Sequence, residues 1–145
     1  MSVKQFNIET HQEVHHYNVV HDNHISANAL KTNRKYLFVA SPGNSVKQFN
    51  IETHQEVHHY KGVHDGYICA FALTSDGKYL FTASYDKTVK QFDVENHQEV
   101  YHYPGIFELD IKGVFELDTL VISLTSDGRY LFTNCFNNGV KQFNT

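Results

Sequence analysis

The chain has 145 residues and a formal net charge of −4, and its twelve lysines and arginines are scattered, so no basic cluster is present to neutralise phosphates. That argues against a nucleic-acid partner. Its apolar runs are all far shorter than a membrane span, which argues against a membrane partner, and the length suits a single compact domain.

Taken in order, Ser2 to Tyr17 (SVKQFNIETHQEVHHY) reads as two strands around a polar turn. Because a strand pattern starts at once instead of a secretory leader, an intracellular, cytoplasmic setting is the expectation. The stretch from about Ile25 to Tyr60 reads as a fuller unit, and Ser45 to Tyr60 within it repeats Ser2 to Tyr17 without a change. The copy continues at an offset of 43 positions, where Lys35-Tyr36-Leu37-Phe38 returns as Lys78-Tyr79-Leu80-Phe81.

The clearest unit is His64 to Tyr103. Ile68 to Thr74 is a short apolar run, and Ser75-Asp76-Gly77-Lys78 supplies the Asp-Gly pair of a tight hairpin with positive φ. Tyr79 to Ser84 is a second run, Tyr85-Asp86-Lys87 a polar turn, and Thr88 to Val94 a third run with β-branched ends. After Glu95-Asn96-His97, Gln98 to Tyr103 reads as a fourth strand. These strands carry apolar or small residues on both sides, so other sheets must stack on each sheet. A final triplet of strands runs to Asn144 and ends in Val140-Lys141-Gln142-Phe143-Asn144, the third-strand pattern once more.

The fold class expected is therefore all-β: four-stranded antiparallel sheets with a partial unit at 1–17, units at 24–60 and 67–103, and a partial unit at 119–145. Between the last two, Gly105 to Lys112 (GIFELDIK) is followed by the near-copy Gly113 to Leu120 (GVFELDTL), a duplicated insertion at 105–120. Phe107, Leu109 and Ile111 alternate there with charged residues, the pattern of a strand with one apolar face.

Four short strands at a period of roughly 40 to 45 residues are the pattern of propeller blades. The stretch SDGKYLFTASYDKTVKQFD resembles the core of the WD-repeat family, whose members carry Asp-Gly in the first hairpin, a Ser/Thr-rich second strand, an Asp turn and Trp-Asp closing the third. Phe92-Asp93 stands here where the family has Trp-Asp, and the chain has no tryptophan. The resemblance implies a structural hydrogen-bond set of His64, Asp86 and Thr82, with Ser84 as the alternative hydroxyl. Phe92 fills the aromatic place without its N–H. The earlier copy has His21 but Gly43 and Val39, and the last has Asn137 and Phe115, so only the middle blade is nearly complete.

About three blades are too few for a closed ring, which typically has four to eight. Two readings are open: a piece of a longer propeller begun in mid-repeat, or a ring of about six blades closed by two chains. The second requires one VKQFN copy to be displaced.

The eleven histidines suggest metal chemistry at first sight. His-Gln-Glu-Val-His-His at His11 and His54 has its glutamate at the third position, not the second, and lies on a turn and a strand, so its ligands share no helical face. His11, His54 and His97 instead fall at a turn position where the family commonly has glycine, and histidine is among the residues that tolerate positive φ. Cys69 and Cys135 read as free core thiols. No nucleophile elbow, phosphate loop or calcium loop is present.

No cofactor is expected, and the resemblance implies a non-catalytic scaffold for binding other proteins, itself included in a dimeric ring. The alternative is a propeller enzyme or a histidine-based metal protein. The contact residues expected are His64, Asp65, Tyr67, Tyr85 and Lys87 on the middle blade, with Phe107 and Leu109 in the duplicated segment.

Overall fold

A computed structural model describes residues 2–18, 30–32, 35–41, 45–104, 122–135 and 139–145. Among them all regular structure is strand, in four antiparallel sheets. The first sheet pairs β1 (Ser2–Phe6) with β2 (Glu13–Asn18). The second runs β3 (Leu30–Thr32), β4 (Tyr36–Ser41), β5 (Ser45–Asn50) and β6 (Glu56–Lys61) in chain order. The third is β7 (Ile68–Leu73), β8 (Tyr79–Ser84), β9 (Val89–Asp93) and β10 (Glu99–Tyr103), and the fourth is β11 (Ile122–Leu124), β12 (Tyr130–Cys135) and β13 (Gly139–Asn144). The duplicated segment at 105–120 lies outside the described residues.

Local chemistry fixes the turns. Between β7 and β8 the Thr74 N–H donates to the Tyr79 carbonyl at 3.0 Å, and Gly77 takes φ 70°, which a side chain would resist. The same turn recurs before β12, with Gly128 at φ 70°. Third and fourth strands are joined by a different device. Asn7 and Asn50 each accept two backbone N–H bonds on the side-chain oxygen, as the Asp93 carboxylate does. His11, His54 and His97 then close these turns at φ 58°, 62° and 64°. Histidine is thus used three times in a conformation that favours glycine or asparagine.

The sheets stack through their faces. On β8 every residue from Leu80 to Ser84 is buried, on both sides of the strand. Tyr17, Val39 and Phe49 join the first sheet to the second, with Val3 and Leu37 packed against them. Phe38, Val46 and Tyr60 of the second meet Phe71, Leu80, Phe92 and Val94 of the third. Ala70, Phe81, Val89 and Tyr103 of the third meet Leu131 of the fourth. First strands β3 and β11 each lie against β7, so one side of the stack is drawn together. Among the described residues the result is an open, incomplete propeller.

Within the joint between second and third sheets, Gln48 is wholly buried and needs partners for its amide. The Tyr60 hydroxyl donates to its Oε1 at 3.0 Å, and burial pushes the Tyr60 phenol well above its usual range, so it stays a donor. Tyr60→Phe should therefore destabilise the chain by about 1 to 3 kcal/mol, the cost of a buried acceptor left unmade. Urea denaturation reads this; an unchanged midpoint would show that the pair contributes nothing.

Candidate functional site

One end of the third sheet is organised around His64, which is 3% exposed and sits in the segment leading into β7. Its Nε2 lies 2.8 Å from the hydroxyl of Thr82 on β8, a residue with no exposure. Its Nδ1 lies 2.9 Å from Asp86 Oδ2 and 3.0 Å from Thr88 Oγ1, both in the turn between β8 and β9. The remaining capacity of the Asp86 carboxylate is taken by the Asp65 N–H at 3.1 Å, the Thr88 N–H at 3.0 Å and the Thr88 hydroxyl at 2.6 Å.

These contacts assign the protons. A carboxylate with so many donors is ionised. Burial pushes Asp86 up, but the Thr88 hydroxyl, His64 and the Asp65 amide outweigh it and hold the carboxyl below its usual range. Burial pulls His64 down against the pull of Asp86, so the imidazole is neutral. Asp86 can only accept, so Nδ1 carries the hydrogen and Nε2 accepts from the Thr82 hydroxyl. The pair is a charge-assisted hydrogen bond in a dry setting.

The network holds a tight turn. Lys87 takes φ 72°, an unfavourable value for a residue with a Cβ, and its N–H donates to the Ser84 carbonyl at 3.1 Å. Ser84 is the other hydroxyl, and it accepts from the Asp86 N–H at 3.1 Å instead of meeting His64. Gly66 is packed so close that a Cβ there would meet the Asp86 backbone nitrogen at 2.7 Å. That is the physical need for glycine in His64-Asp65-Gly66.

Of the contact residues expected from sequence, Tyr67 is 60% and Tyr85 47% exposed, and the Tyr85 N–H donates to the Tyr67 carbonyl at 3.0 Å. Asp65 and Lys87 are exposed beside them. His64 requires a correction: it is buried with both ring nitrogens engaged, so it supports the turn and offers no contact surface. Phe107 and Leu109 lie outside the described residues. Sequence reasoning missed Thr88, though its place two residues after Asp86 gives the Asp-x-Thr spacing of an Asx-type turn.

Four other histidines meet in pairs across the joints. His15 stacks on His54, and His58 on His97, each with ring centroids 4.0 Å apart and planes within 3°. The Tyr17 hydroxyl donates to Gln5 Oε1 at 2.9 Å, so at its 3.2 Å contact with His54 Nδ1 it accepts. Ring nitrogens point outward in the plane of the ring, so face-to-face imidazoles do not converge on one ion. Among the described residues no group of three or more His, Cys, Asp or Glu is arranged to hold a metal. Added zinc should leave the melting temperature unchanged; a rise would show a site the stacked geometry does not provide.

Stacked four-stranded meanders of this kind define a protein built of propeller-type blades. Residues 54–93 match the family model of the WD domain, G-beta repeat, which makes this stretch a WD repeat. The matched stretch begins in the turn before β6, the outer strand of one blade, and ends with β9, the third strand of the next. No curated protein matches the chain. Repeats of this family generally serve as scaffolds for protein–protein interaction.

Two outcomes follow from the network. Thr82→Val keeps the shape but leaves His64 Nε2 buried without a donor, which should cost about 1 to 3 kcal/mol in urea denaturation. His64 is held below its ordinary value of about 6.5 in the fold and regains it on unfolding, so the unfolded chain binds more protons once the pH drops below that value. His15, His58 and His59 are shifted in the same direction, burial being the first cause for each. Stability present above about pH 6.5 should be lost as the pH falls toward 5, seen as a falling melting temperature; a melting temperature that rose on acidification would contradict the neutral assignment.

Proposed function

We propose that the chain acts as a non-catalytic scaffold that binds other proteins, with the β8–β9 end of the middle blade as a contact face. The observation that carries this reading is the exposed pair Tyr67 and Tyr85, tied by one backbone hydrogen bond on a turn that His64, Asp86 and Thr88 hold from beneath. Large amphipathic rings on a pre-ordered backbone lose little entropy on binding, and such rings are enriched where binding energy concentrates. Asp65 and Lys87 flank the pair with opposite charges and set orientation more than affinity. Phe107 and Leu109 of the duplicated segment form a second proposed contact, on the strength of their alternation with charged residues. A second copy of the chain is among the partners proposed.

The test is capture of binding proteins from cell extract by the intact chain. Tyr67→Ser combined with Tyr85→Ser should reduce capture at least tenfold with the melting temperature unchanged, and Phe107→Ser with Leu109→Ser should reduce it separately. Capture that survives both pairs of substitutions would overturn this placement of the contacts.

A further inference from the structure

The two histidine pairs are built alike, one at the joint of the first and second sheets and one at the joint of the second and third. A histidine of an outer strand, His15 on β2 or His58 on β6, lays its ring flat on the turn histidine of the following sheet, His54 or His97. Each turn ring is fixed by its backbone: the His54 N–H donates to the Asn50 carbonyl and the His97 N–H to the Asp93 carbonyl, both at 2.9 Å, at positive φ. A tyrosine edge then separates each pair from the apolar cluster. Tyr17 lies 4.6 Å from the His15 ring and 5.4 Å from Phe49, and Tyr60 lies 4.5 Å from His58 and 5.3 Å from Phe92. On β10 the equivalent position is Tyr101, so only these two joints carry the pair.

Two neutral imidazoles can lie face to face, whereas two imidazolium ions at 4.0 Å repel, the more so because all four rings are half-buried and poorly screened. The groups around them deepen the conflict. His16 stands beside the first pair and His59 beside the second, each adding positive charge on acidification. Glu56 faces the second pair and favours its protonation, but it is bound to Lys47 at 3.1 Å. The Asp93 carboxylate below His97 is taken up by the Glu95 and Asn96 N–H groups. Tyr17 and Tyr60 supply no negative charge, because burial pushes both phenols up. His59 Nε2 is buried without a partner, so a proton added there would find no acceptor.

We propose that the two histidine pairs are proton-operated latches: neutral, they lock adjoining sheets together, and charged, they part and let the sheets splay while the apolar cluster beneath still holds them. The closed pair is the form that resists protons. Burial first, and then the stacked partner, pulls His15 and His58 down, and a parted pair returns to the ordinary value of about 6.5. The parted form therefore binds more protons, so the closed form is favoured above about pH 6.5 and given up as the pH falls toward 5. The joint is the two-state element that the protons bias.

The experiment follows ring-to-ring nuclear Overhauser contacts in the intact chain between about pH 7.5 and about pH 5. The parent is compared with the double variant His15→Phe with His58→Phe, which keeps a flat ring at each joint but leaves one titrating group per pair. A cation on a neutral aromatic face is attractive, so acid should not part the rings of this variant. The result expected is loss of the His15–His54 and His58–His97 contacts in the acidified parent, with the Tyr17–Phe49 and Tyr60–Phe92 contacts kept. The variant should hold its contacts throughout. Persistence of either histidine contact in the acidified parent overturns the proposal. So does loss of the tyrosine–phenylalanine contacts at the same pH, which is unfolding of the whole, and so does a folded variant that loses its ring contacts where the parent does. The parent titration decides by itself should the variant fail to fold.

Discussion

The middle strands of this chain have no polar face to turn toward water, and the architecture follows from that constraint. β8 is buried on both sides, and no residue of β5 or β9 is fully exposed. A single meander of this composition cannot persist alone; it requires a second sheet on each face. The three apolar clusters that join the four sheets are therefore the condition under which the strands form at all. Local hydrogen bonding decides how the strands are paired and ended, and burial decides that they are sheets of a stack.

Polar groups inside this stack are few, and among the described residues His59 Nε2 is the one buried side-chain nitrogen or oxygen without a hydrogen-bond partner. In the middle blade the wholly buried Thr82 is matched to His64, and His64 to Asp86. In the preceding blade the position of Thr82 is held by Val39, also without exposure, and it packs on Tyr17 and Phe49 instead. The same place in the fold can be apolar and packed or polar and paired, with a half-made network as the unfavourable intermediate. In the middle blade the polar version also reaches up to hold a turn. Where His64, Asp86 and Thr88 are joined, the backbone is kept in a conformation that Lys87 would not adopt unaided, with two tyrosines beside it.

Much of the fold was legible in the sequence, for identifiable reasons. Asp76-Gly77 and Asp127-Gly128 are turn chemistry that acts over neighbouring residues, and the 43-position offset of KYLF carries strand order along the chain. The left-handed turn histidines were legible too, because three of them stand where glycine is usual. What could not be read is whatever depends on one blade meeting another. His15 stacks on His54, and His58 on His97, at positions that are not equivalent in the repeat, so comparing equivalent histidines gave no hint of either contact. His64 was read in two ways, through the resemblance as a member of the hydrogen-bond set with Asp86 and Thr82 and also as a contact residue; the Asp86 turn folds over it, and only the first role fits its burial.

The copied stretch and the sheet are out of step by two strands. A copied unit such as Ser45 to Tyr60 carries the third and fourth strands of one sheet, and its tyrosine, glutamine and turn histidine lie at the joints with the neighbouring sheets. Both halves of a joint therefore travel within the repeated pattern. When a period is duplicated, the new sheet arrives with a face already shaped for the old one, and no compensating change is needed at the seam. The unaltered match of Ser2 to Tyr17 with Ser45 to Tyr60 is what such growth leaves behind: a protein that lengthens by copying surfaces that already fit themselves.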